Sequence, residues 1–173
     1  MSNKYNHPEL EDLSGQMHFF ERDKLYEWVY EKRPSIVFEV GGGEGGGSTI
    51  QIAHALKTLK DDGVCADTKF YTCDADPAEI KKSKAYFSTH PDYKDFVSVE
   101  CEYSTKFLSV LLGDGVVPDF IFFDGPEHPE LNLEDFKMLE EVVPVGTMFA
   151  SHDWEVEERI EGGFSVKNVA LRP

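Results

Sequence analysis

Between Ile36 and Leu59 the chain passes from an apolar strand pattern through six glycines into a helical pattern, and this passage restricts the fold more than any other segment. Ile36, Val37, Phe38 and Val40 form a short run of β-branched and aromatic residues, the mark of a buried strand. Beyond the glycines, Ile50, Ile52, Ala53, Leu56 and Leu59 recur at helical spacing. A strand, a glycine-rich turn and a helix open a βαβ unit. Glycine has no Cβ, so such a turn can reach left-handed backbone angles and let a ligand lie against the main chain, beside the N–H donors of the helix start.

The residues between the glycines narrow the ligand. A nucleoside triphosphate loop needs a lysine directly before its Ser or Thr, and Gly47 stands before Ser48, which excludes that chemistry. Gly41, Gly43 and Gly46 satisfy the dinucleotide pattern GxGxxG, a weak sign in a run so rich in glycine. Glu39 at the strand end and Glu44 inside the loop put carboxylates where a pyrophosphate would lie, and a double anion would be repelled there. A cation would be held. S-adenosylmethionine carries a sulfonium and an ammonium group and no phosphate, so an acid-rimmed glycine turn suits it on charge.

Whole-chain properties agree with a small-molecule ligand. The 173 residues, 40% of them hydrophobic, make one globular domain. A net charge of -16 repels nucleic acid and anionic membrane. The amino terminus carries no apolar signal core and no run reaches membrane-spanning length, so a soluble cytoplasmic protein is expected. Cys65, Cys73 and Cys101 are odd in number, lack zinc spacing and read as reduced thiols.

After the first unit, strand and helix patterns keep alternating, which predicts an α/β fold: a Rossmann-like, mostly parallel sheet with helices on both faces. A capping helix is expected from about Glu21 to Lys32, presenting Leu25, Trp28 and Val29. Strands are expected at Lys69 to Asp74, Phe96 to Cys101, Asp119 to Asp124 and Thr147 to Ser151. Helices are expected from the Asp76 cap through about Phe87, from Ser104 to Gly113, and around Leu133 to Val142. In an open parallel sheet the site lies beyond the carboxyl ends of the strands, and these ends are acidic: Glu39, Asp74, Glu102, Asp124 and Asp153. Asp74 is placed to grip two ribose hydroxyls. Glu102, Tyr103 and Ser104 follow the third strand, where an adenine amine would find an acceptor. Asp124 and Asp153 could converge on a hard divalent ion, with His152 as a further ligand or an acid–base group, and His128 as another base. His7, His18, His54 and His90 have no such context.

These segments carry a resemblance. Glu39-Val40-Gly41-Gly42-Gly43-Glu44-Gly45 resembles the ExGxGxG motif of class I S-adenosylmethionine-dependent methyltransferases. Asp119 through Asp124, followed by Gly125, Pro126, Glu127 and His128, is similar to D-x-I-F-I-D-G-x-H, and Gly146 through Trp154 to G-G-x-x-x-x-H-D-W. Both patterns belong to small-molecule O-methyltransferases, in particular the bacterial group that includes macrocin O-methyltransferase and cephalosporin-hydroxylase-like proteins. The resemblance covers about Ser35 to Trp154. It implies cofactor contacts from Glu39, Gly41, Gly43, Gly45, Ser48, Asp74, Glu102, Ser104 and Asp124. It implies a divalent metal such as magnesium on Asp124 and Asp153, beside which His152 is a candidate third ligand, and catalysis is expected from His128, His152 and Asp124. Two departures stand out: His152 replaces an acid, and Pro126 is an extra residue before His128.

The chain is thus expected to divide into an N-terminal segment and capping helix at 1–34, an S-adenosylmethionine-binding core at 35–154, and a short tail at 155–173. The twenty residues after Asp153 are too few for the helix and antiparallel strand pair that usually complete such a sheet, as in a truncated chain or a minimal domain whose edge a homo-oligomer covers. A small-molecule methyl acceptor is the expected partner. Two other functions fit the same pattern: a binding module with an intact cofactor loop and lost chemistry, and an NAD-dependent oxidoreductase.

Overall fold

Alternation along the strands decides how the layers stack. The fold is that of a computed structural model, which describes residue 15, residues 17–125 and residues 129–152. Five strands, β1 (Ile36–Val40), β2 (Lys69–Asp74), β3 (Val97–Cys101), β4 (Phe120–Phe123) and β5 (Met148–Ser151), pair in the order β3-β2-β1-β4-β5. Every pairing is parallel. Successive side chains of a strand point to opposite faces. Val37, Phe70, Phe120 and Phe122 therefore meet α1 (Phe19–Lys32), α2 (Ser48–Asp61) and α3 (Pro77–Thr89) in one core. Phe38, Val40, Ile121 and Phe123 meet α4 (Ser104–Gly113) and α5 (Pro129–Glu140) in the other. The expected parallel α/β sheet with helices on both faces is what forms. An antiparallel pair would follow residue 152, outside the described residues.

Two helix boundaries differ from expectation. α1 begins at Phe19 because His18 precedes the helix and Glu21 Oε2 accepts the His18 N–H at 2.7 Å, a capping arrangement. Phe19 and Phe20 stay exposed, so helical apolar spacing does not report this turn. α5 spans Pro129–Glu140 instead of 133–142: proline suits the first helical position, and the chain turns as the Val142 and Val143 N–H groups return to Leu139 O ahead of Pro144.

Asp119 sets the register where three strands begin. Its carboxylate accepts the N–H groups of Ser35 and Ile36 at 3.0 and 3.1 Å, and its own carbonyl accepts the Met148 N–H at 3.1 Å. α1 lies on α2 and is tied to the start of β5 by Lys32 Nζ, 2.7 Å from Gly146 O.

One core position is ionisable. Glu39 shares a face with Val37, is wholly buried, and sits in register beside Thr72 of β2. The hydroxyls of Thr72 and Thr49 donate to its Oε2 at 2.6 and 2.7 Å. Burial pushes its carboxyl up to about 7, against the opposing pull of the Ser48, Thr72 and Thr49 hydroxyls.

Two outcomes follow. Because the folded state holds the Glu39 proton more tightly than the unfolded chain, the contribution of Glu39 to stability is fully present below about pH 4.5 and is lost as pH rises through about 7, a fall of up to about 3 kcal/mol. Urea denaturation at pH 5 and pH 8 should show this fall in the native protein and a much smaller one in Glu39→Gln. Asp119→Ala should lower stability by about 1–2 kcal/mol at either pH, since it removes the acceptor of two strand-start N–H groups.

Candidate functional site

The glycine turn is held by hydrogen bonds to the end of β2. Gly41 and Gly42 donate their N–H groups to Cys73 O at 2.9 and 3.0 Å, and Gly43 donates to Asp74 Oδ2 at 3.0 Å. The loop from β1 is thereby sewn to the end of β2. Gly41 has φ +90°, and a Cβ there would lie 1.9 Å from Asp124 O, so only glycine lets the turn pass so close to the end of β4. Beneath Gly42, a Cβ would lie 2.3 Å from the Thr72 hydroxyl. Gly45 accepts the Ile50 N–H at 3.1 Å and starts α2.

Above this turn opens a cavity of about 400 Å³, within the range of small-molecule sites. It lies at the carboxyl ends of the strands, where an open parallel sheet holds its ligands. Gly41, Gly42, Gly43, Glu44, Gly47 and Ser48 form its floor, Asp74, Glu79, Asp124 and His152 its walls, and Gly15 and Met17 a third side. Four described lining residues carry carboxylates and none carries a lysine or arginine side chain.

Each acid has its own setting. Glu44 pairs with Lys82 of α3 at 2.9 Å. Asp74 accepts the Gly43 N–H on one oxygen and the Asp76 N–H, at 2.8 Å, on the other, and each oxygen keeps a second acceptor site. Glu79 does not return to the helix cap, where Asp74 takes the Asp76 N–H. It faces the loop instead, its Oε2 3.2 Å from where a Gly43 Cβ would lie. Burial raises its carboxyl above the ordinary range, and Asp74, Asp76 and Glu44 add to the rise. Asp124 accepts the Ser48 hydroxyl at 3.3 Å on Oδ2 and faces His152 Nδ1 at 3.2 Å through Oδ1.

Of the residues expected at the site, Gly41, Gly43, Ser48, Asp74, Asp124 and His152 are brought together on the cavity. Glu39 is not on its rim, because strand alternation turns the side chain into the core under the loop. Gly45 is not on the lining either, and its part is to start α2. Glu102 is held at the start of α4 by Lys106 and by the Tyr103 N–H at 3.0 Å, and its carboxyl is pulled down chiefly by the Lys106 hydrogen bond. Ser104 opens α4 and its hydroxyl opposes the burial that pushes the Asp135 carboxyl of α5 up to about 6. Neither Glu102 nor Ser104 lines the cavity. Glu79, on the lining, and Glu21, whose Oε2 lies 3.6 Å from His152 Nε2, are additions that sequence reading does not supply. His128 and Asp153 lie outside the described residues.

A divalent ion finds no complete ligand set among the described residues. His152 Nδ1 and Asp124 Oδ1 engage each other and Ser48 donates to Asp124 Oδ2, while the third member of the expected ligand set, Asp153, lies outside the described residues. Among the described residues no three His, Cys, Asp or Glu side chains converge as a metal ion requires.

Solved structures show the same architecture. The O-methyltransferase of Bacillus cereus, in complex with SAH, superposes with a TM-score of 0.65 at 19% identity, over 80% of this chain and 58% of that one. The tomaymycin-synthesis O-methyltransferase of Streptomyces achromogenes, in complex with SAM, gives a TM-score of 0.60 at 19% identity, over 78% and 55%. A Klebsiella pneumoniae protein ascribed to the O-methyltransferases gives 0.70 at 20% identity, over 90% and 67%. At such identities the likeness is one of fold, and this chain spans little more than half the length of the first two. No curated protein sequence matches it. Residues 38–154, well over half of the chain and including both the glycine turn and the acids ending β2 and β4, match a family model described as a methyltransferase domain, and the chain belongs to that family.

Proposed function

We propose that this chain binds S-adenosylmethionine in the strand-end cavity and transfers its methyl group to an oxygen of a small-molecule acceptor. The observation that carries this reading is the union of a left-handed glycine turn with four lining carboxylates and no lining lysine or arginine among the described residues. A cofactor with a sulfonium and an ammonium group is attracted to such a surface, whereas the pyrophosphate of NAD is repelled. The Bacillus cereus and Streptomyces achromogenes proteins hold SAH and SAM respectively, which supports the same ligand here.

Each lining residue has a task under this reading. The free acceptor positions of Asp74 take the ribose hydroxyls, and the glycine turn lets the cofactor approach the main chain. Glu44 and Glu79 face the ammonium end. The acceptor oxygen attacks the methyl carbon in line with the C–S bond, and the C–S electron pair returns to sulfur, giving neutral S-adenosylhomocysteine. The acceptor's proton passes to His152 Nε2. Asp124 accepts the Nδ1–H, which places the basic lone pair of the ring on Nε2. The net charge of -16 supports a small acceptor over a nucleic acid, and no described helix is long and apolar enough to cross a membrane.

Calorimetry separates this reading from its rivals. S-adenosylhomocysteine should bind the purified chain with micromolar affinity and NAD should not. Asp74→Asn, which keeps an oxygen for the Gly43 N–H, should weaken S-adenosylhomocysteine about 10–100-fold, the worth of one or two charge-assisted hydrogen bonds. Absence of S-adenosylhomocysteine binding, or a preference for NAD, sinks the proposal. A panel of phenols, sugars and carboxylic acids, assayed for release of S-adenosylhomocysteine from S-adenosylmethionine, distinguishes an enzyme from a binding module.

A further inference from the structure

Four carboxylates line the cavity, and three of them are engaged by other groups of the protein. Asp124 meets the Ser48 hydroxyl and His152, Asp74 accepts the Gly43 and Asp76 N–H groups, and Glu44 pairs with Lys82 at 2.9 Å. The fourth is Glu79. It is exposed on the cavity wall, and among the described residues its carboxylate accepts no hydrogen bond and forms no ion pair.

The start of α3 explains why this side chain is left over. Glu79 is the third residue of the helix, a position from which a glutamate ordinarily serves the N–H of the capping residue. Other groups supply both halves of that cap: Asp74 Oδ1 takes the Asp76 N–H at 2.8 Å, and Asp76 Oδ1 takes the Ala78 and Glu79 N–H groups at 2.7 and 3.4 Å. One turn further on, the buried Ser83 donates its hydroxyl to Gly43 O at 3.2 Å. Residues four apart share a helix face, so the contact that docks α3 on the glycine loop also holds Glu79 beside Gly43. No side chain stands between them, since a Cβ on Gly43 would lie 3.2 Å from Glu79 Oε2. Burial, with Asp74, Asp76 and Glu44 nearby, makes the Glu79 charge harder to hold than that of an ordinary carboxylate, and a cation in the cavity relieves this.

We propose that Glu79 is a specificity-determining residue of the cavity: it pairs with the ammonium group of the bound S-adenosyl ligand, and so selects ligands that carry this amine over otherwise identical ones that lack it. This rests on the S-adenosylmethionine-binding reading and narrows it, since Glu44, facing the same end, is already matched by Lys82. The ammonium keeps its charge while the methyl group leaves sulfur. A pair formed with it stabilises substrate, transition state and product alike, which tightens binding and leaves the chemical step untouched. A carboxylate facing the sulfonium behaves otherwise, because it holds S-adenosylmethionine more tightly than S-adenosylhomocysteine.

The probes are S-adenosylhomocysteine and its desamino analogue, which keeps the adenosine, the thioether and the carboxylate and has hydrogen in place of the ammonium. In calorimetry at pH 8 the wild type should prefer S-adenosylhomocysteine. Glu79→Gln should melt as the wild type does, since neither the cap nor the Ser83 contact uses this side chain. It should bind S-adenosylhomocysteine about three- to tenfold more weakly, the worth of one ion pair in a partly open cavity, and the desamino analogue as the wild type does. Affinity for S-adenosylmethionine should fall by the same factor as for S-adenosylhomocysteine, and with any acceptor that turns over in the panel its KM should rise while kcat holds. Unchanged S-adenosylhomocysteine affinity in Glu79→Gln, an equal loss for the desamino analogue, or a loss confined to S-adenosylmethionine overturns the inference and leaves the cofactor reading standing. Failure of the wild type to bind S-adenosylhomocysteine sinks the cofactor reading itself, and the role of Glu79 falls with it.

Discussion

The Glu39 carboxylate, held from two sides under the glycine turn, is the contact on which the site depends. Thr49 reaches it from α2 and Thr72 from β2, so one side chain of β1 joins the strand, its neighbour and the first helix of the βαβ unit. Gly42 lies directly above, where any Cβ would strike the Thr72 hydroxyl. A backbone loop with several left-handed residues has many conformations open to it, and conformational entropy opposes any single one. The buried hydrogen bonds below and the Cys73 and Asp74 acceptors beside it select one shape. A buried carboxylate is a costly choice for this task, as the upward shift of its titration shows. What it provides is direction, since an apolar residue at position 39 would fill the space without tying α2 to β2.

Much of the fold is legible because parallel strands buried on both faces read as continuous apolar runs, and each of the five stops at or beside a polar residue. The same alternation that places Val37 in one core and Phe38 in the other also turns Glu39 inward, so its burial could have been read from its strand position. Asp74 and Asp124 were legible as site residues from the rule that ligands gather where parallel strands end. Glu102 obeys the same rule and yet leaves the cavity. A lysine four residues later on a helix is an ion-pair spacing, and Lys106 draws the carboxylate to the helix surface.

What stayed illegible depends on contacts between distant elements. Glu79 stands one turn into α3, where acid residues serve helix starts, and only the path of the glycine loop turns it into a wall of the cavity. Glu21 has an equally local explanation as a helix-cap partner, and nothing near it in sequence mentions His152. Both contacts join residues far apart in the chain, and a sequence displays only the local neighbours.

The arrangement of charge has a consequence for methyl transfer. Carboxylates that embrace a sulfonium stabilise the substrate, and since the positive charge on sulfur fades in the transition state, such contacts slow the chemical step while tightening binding. Rate is favoured when the acids act on groups whose charge does not change, the ammonium and the ribose. The cavity divides along this line. Glu44, Asp74 and Glu79 cluster around the loop and the start of α3, with Lys82 tempering Glu44. Asp124, on the other side, is engaged by Ser48 and His152 and so presents less bare charge to sulfur. Under the proposed methyl transfer, the three clustered acids would supply affinity, and the pairing of Asp124 with His152 would keep that affinity from being spent on the atom that must lose its charge.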